Sequence, residues 1–259
     1  MPKIYSTRKI RSLALEKVAI IELKTTGVKL RIVDVIRNKY FQNHKTIEMP
    51  INLTKDFYGD LFIKPTVIKD INSILSVYKK IIEGYECTET ICVATDLLTE
   101  AKNINGFLNE LLVSNGFDFK VFVPEEEIDD VYTAVINSFN RPKGVIINVS
   151  DYNTEMVIYN RRNVIKKLII PYGSVKVYDK LNDMTFDEKL EKLKSEIKLL
   201  IDENDFMNEL PEEYDIIGAG DAFKDYAVVC KKAKKYPLDL THNFVSSKKD
   251  LEKEFKRIV

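Results

Sequence analysis

A carboxylate stands at the end of an apolar stretch near the start of the chain. Residues 18–35, VAIIELKTTGVKLRIVDV, predict two strands joined by a tight turn. Glu22 comes just before that turn, whose residues are Lys24, Thr25, Thr26 and Gly27. Two interpretations stay open. Either Glu22 marks the point where the strand reaches solvent, or the turn is a ligand-binding loop with an acid at its base.

A second polar turn interrupts a second apolar stretch. Residues 144–159, GVIINVSDYNTEMVIY, predict a strand, a turn and a strand. The alignment of the two stretches pairs Glu22 with Asn148, Lys24 with Ser150, Gly27 with Asn153 and Lys29 with Glu155. Polar side chains therefore recur at matching positions, which indicates an internal repeat.

The elements that must position these turns occur in the same order twice. Three strands come first and helix–strand alternation follows, and the order restarts after NRPKG at residues 140–144. Such a repeat predicts a duplicated α/β fold, the ribonuclease-H-like architecture of the actin-like ATPase (ASKHA) superfamily. Two domains, residues 1–140 and 141–259, would face each other across a central cleft into which both turns point. The last helix could pack back on the first domain.

Two helix starts carry clear signals. Pro124 precedes three glutamates, which suits the first turn of a helix because acids there complement the helix dipole. Thr185 is followed three residues later by Glu188, the spacing of a capping box. We therefore expect helices over residues 124–139 and 185–201.

Composition excludes several classes of partner. Forty acidic residues balance forty basic ones, so the overall charge gives no reason to expect a nucleic acid or an anionic membrane. No apolar run approaches the roughly 20 residues of a membrane helix. The three cysteines form no metal-spaced set with either histidine. An odd number of thiols without a signal peptide predicts a reducing, cytoplasmic location.

Several short segments follow one another in the order of a known family. They are ELKTTG at 22–27, VATDLLTE at 93–100, PEEEI at 124–128, NVSDYNTE at 148–155 and IIGAGDAF at 216–223. In this order they resemble the exopolyphosphatase and guanosine-pentaphosphatase (Ppx/GppA) family. The resemblance runs from Val18 to the end of the chain, and it implies the actin-like fold and a divergent, short member.

The departures from the family pattern concern phosphate binding. Family members hold phosphate with backbone N–H groups of glycine-rich turns, because glycine permits close approach and positive φ. Here Lys24 stands at a family glycine, and Ser150, Asp151 and Tyr152 stand at three others. The resemblance thus implies degenerate phosphate-binding turns, made of Lys24, Thr25, Thr26, Gly27, Ser150, Asn153 and Thr154.

The resemblance also assigns roles to four polar residues. Glu126 aligns with the general base that activates water. Glu22, Asn148 and Glu155 align with residues that hold Mg²⁺, although an amide at Asn148 lacks the charge of the family aspartate. The expected ligand is polyphosphate or a guanosine polyphosphate, and a homodimer is compatible with the resemblance. Glu126 also suits its helix start for dipole reasons alone, and both interpretations stay open.

Three functions therefore compete. The first is Mg²⁺-dependent hydrolysis of a terminal phosphoanhydride bond, weak or absent because the turns are degenerate. The second is a catalytically inactive pseudo-enzyme that keeps the scaffold for binding or regulation. The third is a nucleotide-dependent kinase of the actin-like superfamily, which is less favoured because such kinases also need glycine-containing turns.

Overall fold

Each of two β-sheets begins with three antiparallel strands and continues with parallel ones. The computed structural model describes residues 15–36, 40–53, 57, 60–181, 183–238 and 240–258. Contacts divide the chain into two compact units, Met1–Val121 and Phe122–Val259. Each unit contains one sheet.

The first sheet has the strand order β3-β2-β1-β4-β5. Its strands are β1 (Leu15–Lys24), β2 (Gly27–Ile36), β3 (Tyr40–Pro50), β4 (Glu89–Ala94) and β5 (Phe119–Val121). β1 is central, antiparallel to β2 and parallel to β4. Ala19, Ile21 and Leu23 are fully buried, which accounts for the apolar sequence of this strand.

Two helices and a short 3₁₀ helix complete the first unit. They are α1 (Pro65–Gly84), the 3₁₀ helix Asp96–Glu100 and α2 (Ile104–Asn115). α1 buries one face, including Ile71, Leu75 and Tyr78, and its Tyr78 hydroxyl donates a hydrogen bond to the carbonyl of Val28 at 2.7 Å. α2 packs on α1.

The second sheet has the strand order β8-β7-β6-β9. Its strands are β6 (Lys143–Val149), β7 (Thr154–Asn160), β8 (Asn163–Ile170) and β9 (Asp215–Ala219). The first three are antiparallel, and β9 runs parallel to β6. This order repeats the first four strands of the first sheet, so the predicted duplicated, ribonuclease-H-like α/β fold is confirmed.

Helices cover both faces of the second sheet. They are α3 (Pro124–Ser138), α4 (Ser174–Lys180), α5 (Phe186–Glu203), α6 (Gly220–Ala233) and α7 (Lys248–Ile258). On one face Tyr132 of α3 packs with Ile146 and Tyr159. On the other, Val145 and Ile158 pack with residues of α5. The predicted capping box at the start of α5 is present.

Contacts place α3 in the second unit, because α3 packs against β6, β7 and β8. The compact units therefore divide at residues 121–122. The sequence repeat predicts a boundary at residue 140, where the order of elements restarts. That boundary describes the duplication and not the contacts, and it stays a prediction. α7 contacts α6, also in the second unit. Within the described ranges, every helix is too short or too polar to span a bilayer.

Candidate functional site

The first turn is a two-residue connection between β1 and β2. Lys24 pairs with Gly27, which leaves Thr25 and Thr26 as the turn. The chain after β3 donates backbone N–H groups to both threonine carbonyls, at 3.1 and 3.0 Å. Thr25 is buried and Thr26 is exposed. The carbonyl groups of this turn are therefore anchored by the neighbouring chain.

A row of charged side chains crosses the first sheet beside this turn. Glu22 of β1 lies opposite Lys29 of β2, and Lys29 lies opposite Glu48 of β3. Lys29 is only 8% exposed, and its Nζ lies 3.6 Å from Oε2 of Glu48. Opposite charges in neighbouring strands stabilise each other. Glu22 is half-buried two residues before the end of β1, and whether it serves a ligand at the turn stays a prediction.

The second turn is closed by a side chain of its own. Ser150 accepts a hydrogen bond through Oγ from the N–H of Asn153 at 3.2 Å and a long one from the N–H of Tyr152 at 3.4 Å. The Ser150 hydroxyl and backbone N–H both donate to the carbonyl of Asn153 at 3.0 Å. Backbone N–H groups are the donors with which a turn holds an anion. In this turn the N–H groups of residues 150, 152 and 153 point inward to acceptors of the turn itself.

The same turn caps the beginning of α4. The carbonyl of Ser150 accepts from the N–H of Ser174 at 3.0 Å, and the carbonyl of Asp151 accepts from the next two N–H groups at 2.9 and 3.1 Å. Only glycine at position 173 permits this close contact, because a Cβ there would lie 2.4 Å from the backbone nitrogen of Tyr152. The turn therefore satisfies helix N–H groups that otherwise lack partners.

Tyr152 of the second turn is buried against Lys176 of α4. It is 3% exposed, and the Nζ of Lys176 lies 3.9 Å from the centre of its ring. Lys176 is itself 5% exposed. An ammonium this close to an aromatic face is attracted by the ring quadrupole, more strongly when both groups are shielded from water. This pair fixes a bulky side chain within the second turn.

Asn148 and Glu155 meet across the base of the second turn. They pair in β6 and β7, as Glu22 and Lys29 pair in β1 and β2. The Nδ2 of Asn148 donates to Oε2 of Glu155 at 2.7 Å, and both residues are buried. Gly220 begins α6 with φ +85°, and a Cβ there would lie 2.7 Å from Oδ1 of Asn148. Glycine is required at this junction for both its dihedral angle and its close approach.

Glu126 lies in the first turn of α3. Pro124 begins the helix, and the N–H groups of Glu126 and Glu127 both donate to the carbonyl of Val123. The side chain of Glu126 is exposed. Its position satisfies the dipole interpretation, and an exposed carboxylate also remains accessible to water as a general base would need.

The donor set of the second unit does not fit a resident Mg²⁺ ion. Mg²⁺ prefers oxygen ligands in near-octahedral geometry, usually with one or two carboxylates. Asn148 and Glu155 supply one amide and one carboxylate, and these two groups hydrogen-bond to each other. Among the described residues, no group of three His, Cys, Asp or Glu side chains is arranged to hold a metal ion.

Comparison with known proteins decides the family. The model of the Ppx/GppA phosphatase family matches residues 51–258. The chain belongs to the Ppx/GppA phosphatase family. Members with solved structures share its fold. The Aquifex aeolicus member has a TM-score of 0.76 at 21% identity, covering 94% of this chain and 78% of that one. An exopolyphosphatase from Cytophaga hutchinsonii has a TM-score of 0.80 at 15% identity, covering 94% and 80%.

Curated relatives of this Ppx/GppA protein are longer. It is 24% identical over 239 residues to a bifunctional 3-dehydroquinate synthase/phosphatase of Fusobacterium nucleatum, a match covering 86% of this chain and 36% of the relative. It is 27% identical over 115 residues to retrograde regulation protein 2 of Saccharomyces cerevisiae, covering 42% and 20%. The chain thus spans about a third of the length of the Fusobacterium nucleatum protein and about a fifth of that of the Saccharomyces cerevisiae protein.

The structure brings the sequence-predicted residues together in two sets. Lys24, Thr25, Thr26 and Gly27 form the first turn beside Glu22, and Ser150, Asn153 and Thr154 lie with Asn148 and Glu155 at the second. Their roles in binding and catalysis stay predictions. Sequence reasoning did not single out Gly173 or Lys176. The signal for Gly173 was present, since Pro171-Tyr172-Gly173 follows a strand and precedes a helix.

Proposed function

We propose that this Ppx/GppA protein is a divergent exopolyphosphatase-like protein with little or no hydrolytic activity. The hydrogen bond between the N–H of Asn153 and Oγ of Ser150 carries this proposal. A phosphate bound at the second turn would have to displace that hydroxyl. The turn would then exchange internal hydrogen bonds for external ones, and the net gain from binding would fall accordingly.

The surroundings of the turn support the same proposal. Tyr152 of the turn packs on Lys176, and the carbonyl groups of the turn cap α4. Opening the turn would therefore disturb a cation–π contact and three backbone hydrogen bonds. Catalysis by these enzymes depends on electrostatic stabilisation by donors that already point at the phosphate. A turn that must first rearrange gives up that advantage.

A retained scaffold with a closed turn suits binding or regulation. Asn148 and Glu155 remain buried and hydrogen-bonded, and Gly220 keeps the close approach that the junction of β9 and α6 requires. The fold is thus maintained around a turn whose N–H groups at residues 150, 152 and 153 already have acceptors. The protein would then act as a pseudo-enzyme whose ligand is polyphosphate, a guanosine polyphosphate or another protein. Its three free cysteines support a reducing, cytoplasmic location.

The test is phosphate release from long-chain polyphosphate and from guanosine pentaphosphate in the presence of Mg²⁺. We expect release at the level of the buffer, identical for wild type and Glu126→Ala. Glu125→Ala is the matched control, because Glu125 is exposed in the same helical turn. Turnover at ordinary enzyme rates, about 1–1,000 s⁻¹, that Glu126→Ala abolishes and Glu125→Ala preserves would refute the proposal.

A further inference from the structure

A cavity opens at the end of the second sheet that lies farthest from the second turn. Its volume is about 570 Å³, and it is lined by Pro142, Lys143, Asn160, Arg161, Asn163 and Ile165. Lys143 is the first residue of β6, whereas the second turn follows the last. Seven strand residues at about 3.3 Å each separate the two places by about 20 Å. The cavity is therefore distinct from the candidate site.

The turn between β7 and β8 presents two arginines in an unfavourable backbone conformation. Arg161 and Arg162 have φ of 48° and 65°, the left-handed region. A two-residue hairpin turn with positive φ at both positions normally uses Asn-Gly, because side chains are disfavoured there. Non-glycine residues kept in such conformations occur preferentially at functional sites.

The arginine turn is held firmly in place. The N–H of Arg161 donates to the carbonyl of Pro142 at 2.6 Å. The hydroxyl of Tyr132 donates to the carbonyl of Arg162 at 2.7 Å, and the Arg162 guanidinium donates to Oδ1 of Asn137 at 2.5 Å. The guanidinium of Arg161 is exposed beside the cavity. The backbone is thus fixed while one cationic side chain stays available.

Positive charge around the cavity is not neutralised. In the part of the chain that the structure describes, the side chains of Lys143, Arg161 and Lys166 take part in no ion pair. Nearby acids are already engaged, since Asp215 faces Arg141 and Asp129 faces Lys167. An anion entering here would meet two cations at the rim, Lys143 and Arg161.

The lining also has apolar and amide surfaces. Pro142 and Ile165 are apolar, and Ile165 is 41% exposed. Asn160 and Asn163 pair across β7 and β8 and offer amide donors and acceptors. Inorganic phosphate would use only the cations. A planar base would cover the apolar floor and match the amides. The volume lies within the usual range of small-molecule sites, about 300–1,000 Å³.

We propose that this cavity binds a nucleoside polyphosphate. The phosphates contact Arg161 and Lys143, and the base lies on Pro142 and Ile165 between the two asparagine amides. An arginine is suited to this role because its guanidinium can hold two phosphate oxygens at once. The site does not depend on the second turn, so it stands whether or not the protein hydrolyses phosphoanhydrides.

The test is calorimetric titration of the full chain with GTP, ATP and inorganic tripolyphosphate. Arg161→Gly is the decisive variant, because it removes the guanidinium while giving the turn the residue that its backbone prefers. We expect Arg161→Gly to melt at or above the wild-type temperature and to weaken binding of at least one nucleotide tenfold or more. Lys80→Ala, an exposed lysine of α1, is the charge-matched control and should bind as wild type does.

Three outcomes overturn the proposal. No nucleotide binding does so directly. Binding that Arg161→Gly leaves unchanged must lie elsewhere, including at the two turns. Tripolyphosphate binding as tightly as the nucleotides would show that the apolar floor takes no part. Each result is independent of the hydrolysis assay, since Glu126 and the second turn are intact in every variant.

Discussion

Gly173 offers a direct test of how the second turn is held. Its φ of −123° is available to any residue, so only space forbids a side chain. A Cβ would lie 2.4 Å from the nitrogen of Tyr152 and 2.5 Å from the carbonyl carbon of Asp151. These are backbone atoms, which cannot rotate away. Gly173→Ala must therefore push the turn off α4.

The cost follows from the contacts that are broken. Three backbone hydrogen bonds join the turn to α4, at 2.9, 3.0 and 3.1 Å. At about 1 kcal/mol each, their loss lowers the free energy of unfolding by about 3 kcal/mol. For a chain of this size that corresponds to a fall in melting temperature of roughly 6–12 °C.

Gly106→Ala is the matched control. Gly106 lies in the first turn of α2, and a Cβ there would meet nothing within 4 Å. Alanine is more favourable than glycine in a helix, by up to roughly 1 kcal/mol in the interior, so this variant should melt at or slightly above the wild-type temperature. Both substitutions add one methyl group, but only Gly173→Ala should lower the melting temperature. Thermal unfolding followed by circular dichroism measures both, and a Gly173→Ala protein as stable as wild type would refute the contact between the turn and α4.

Two further predictions concern buried polar groups. Burial raises the pKa of Tyr78 to about 12 from an ordinary value of 10, so its proton stabilises the fold below pH 10 and this contribution is lost as pH rises towards 12. Tyr78→Phe, which gives up the hydrogen bond to Val28, should lower the urea midpoint at pH 8. It should also make the midpoint fall less steeply between pH 10 and 12, and equal declines in both proteins would contradict this assignment. Asn148→Asp places a second carboxylate against buried Glu155 and should cost about 3 kcal/mol at pH 7. Millimolar Mg²⁺ should restore its melting temperature while leaving wild type unchanged, and a wild-type protein that Mg²⁺ stabilises equally would show that the amide already supports a metal site.

Periodicity was sufficient to predict most of the fold. The apolar run before Glu22 and the alternating residues after Gly27 became β1 and β2, and Thr185 with Glu188 became the capping box of α5. These signals are local, since each depends on residues within a few positions. The division into compact units was not local. It depends on which sheet α3 packs against, and the apolar face of a helix does not specify its partner.

The candidate site was predictable in position but not in detail. The repeat matched Asn148 with Glu22 and Glu155 with Lys29, and the structure joins Asn148 and Glu155 through a hydrogen bond of 2.7 Å. The loss of glycine at Ser150 and Tyr152 indicated a changed turn. The sequence could not show where their side chains point, because Ser150 turns inward to its own backbone and Tyr152 packs on Lys176 of a later helix. The direction of Ser150 depends on how the turn closes, and that of Tyr152 depends on a tertiary contact.

The most direct measurement is the response of the backbone amides of Tyr152 and Asn153 to phosphate, followed by nuclear magnetic resonance. In wild type these resonances should not move when inorganic phosphate or tripolyphosphate is added, because Ser150 already accepts their hydrogen bonds. In Ser150→Gly the same resonances should shift in a saturable manner. Saturable shifts of both amides in the wild-type protein would contradict the closed turn on which the proposed function depends.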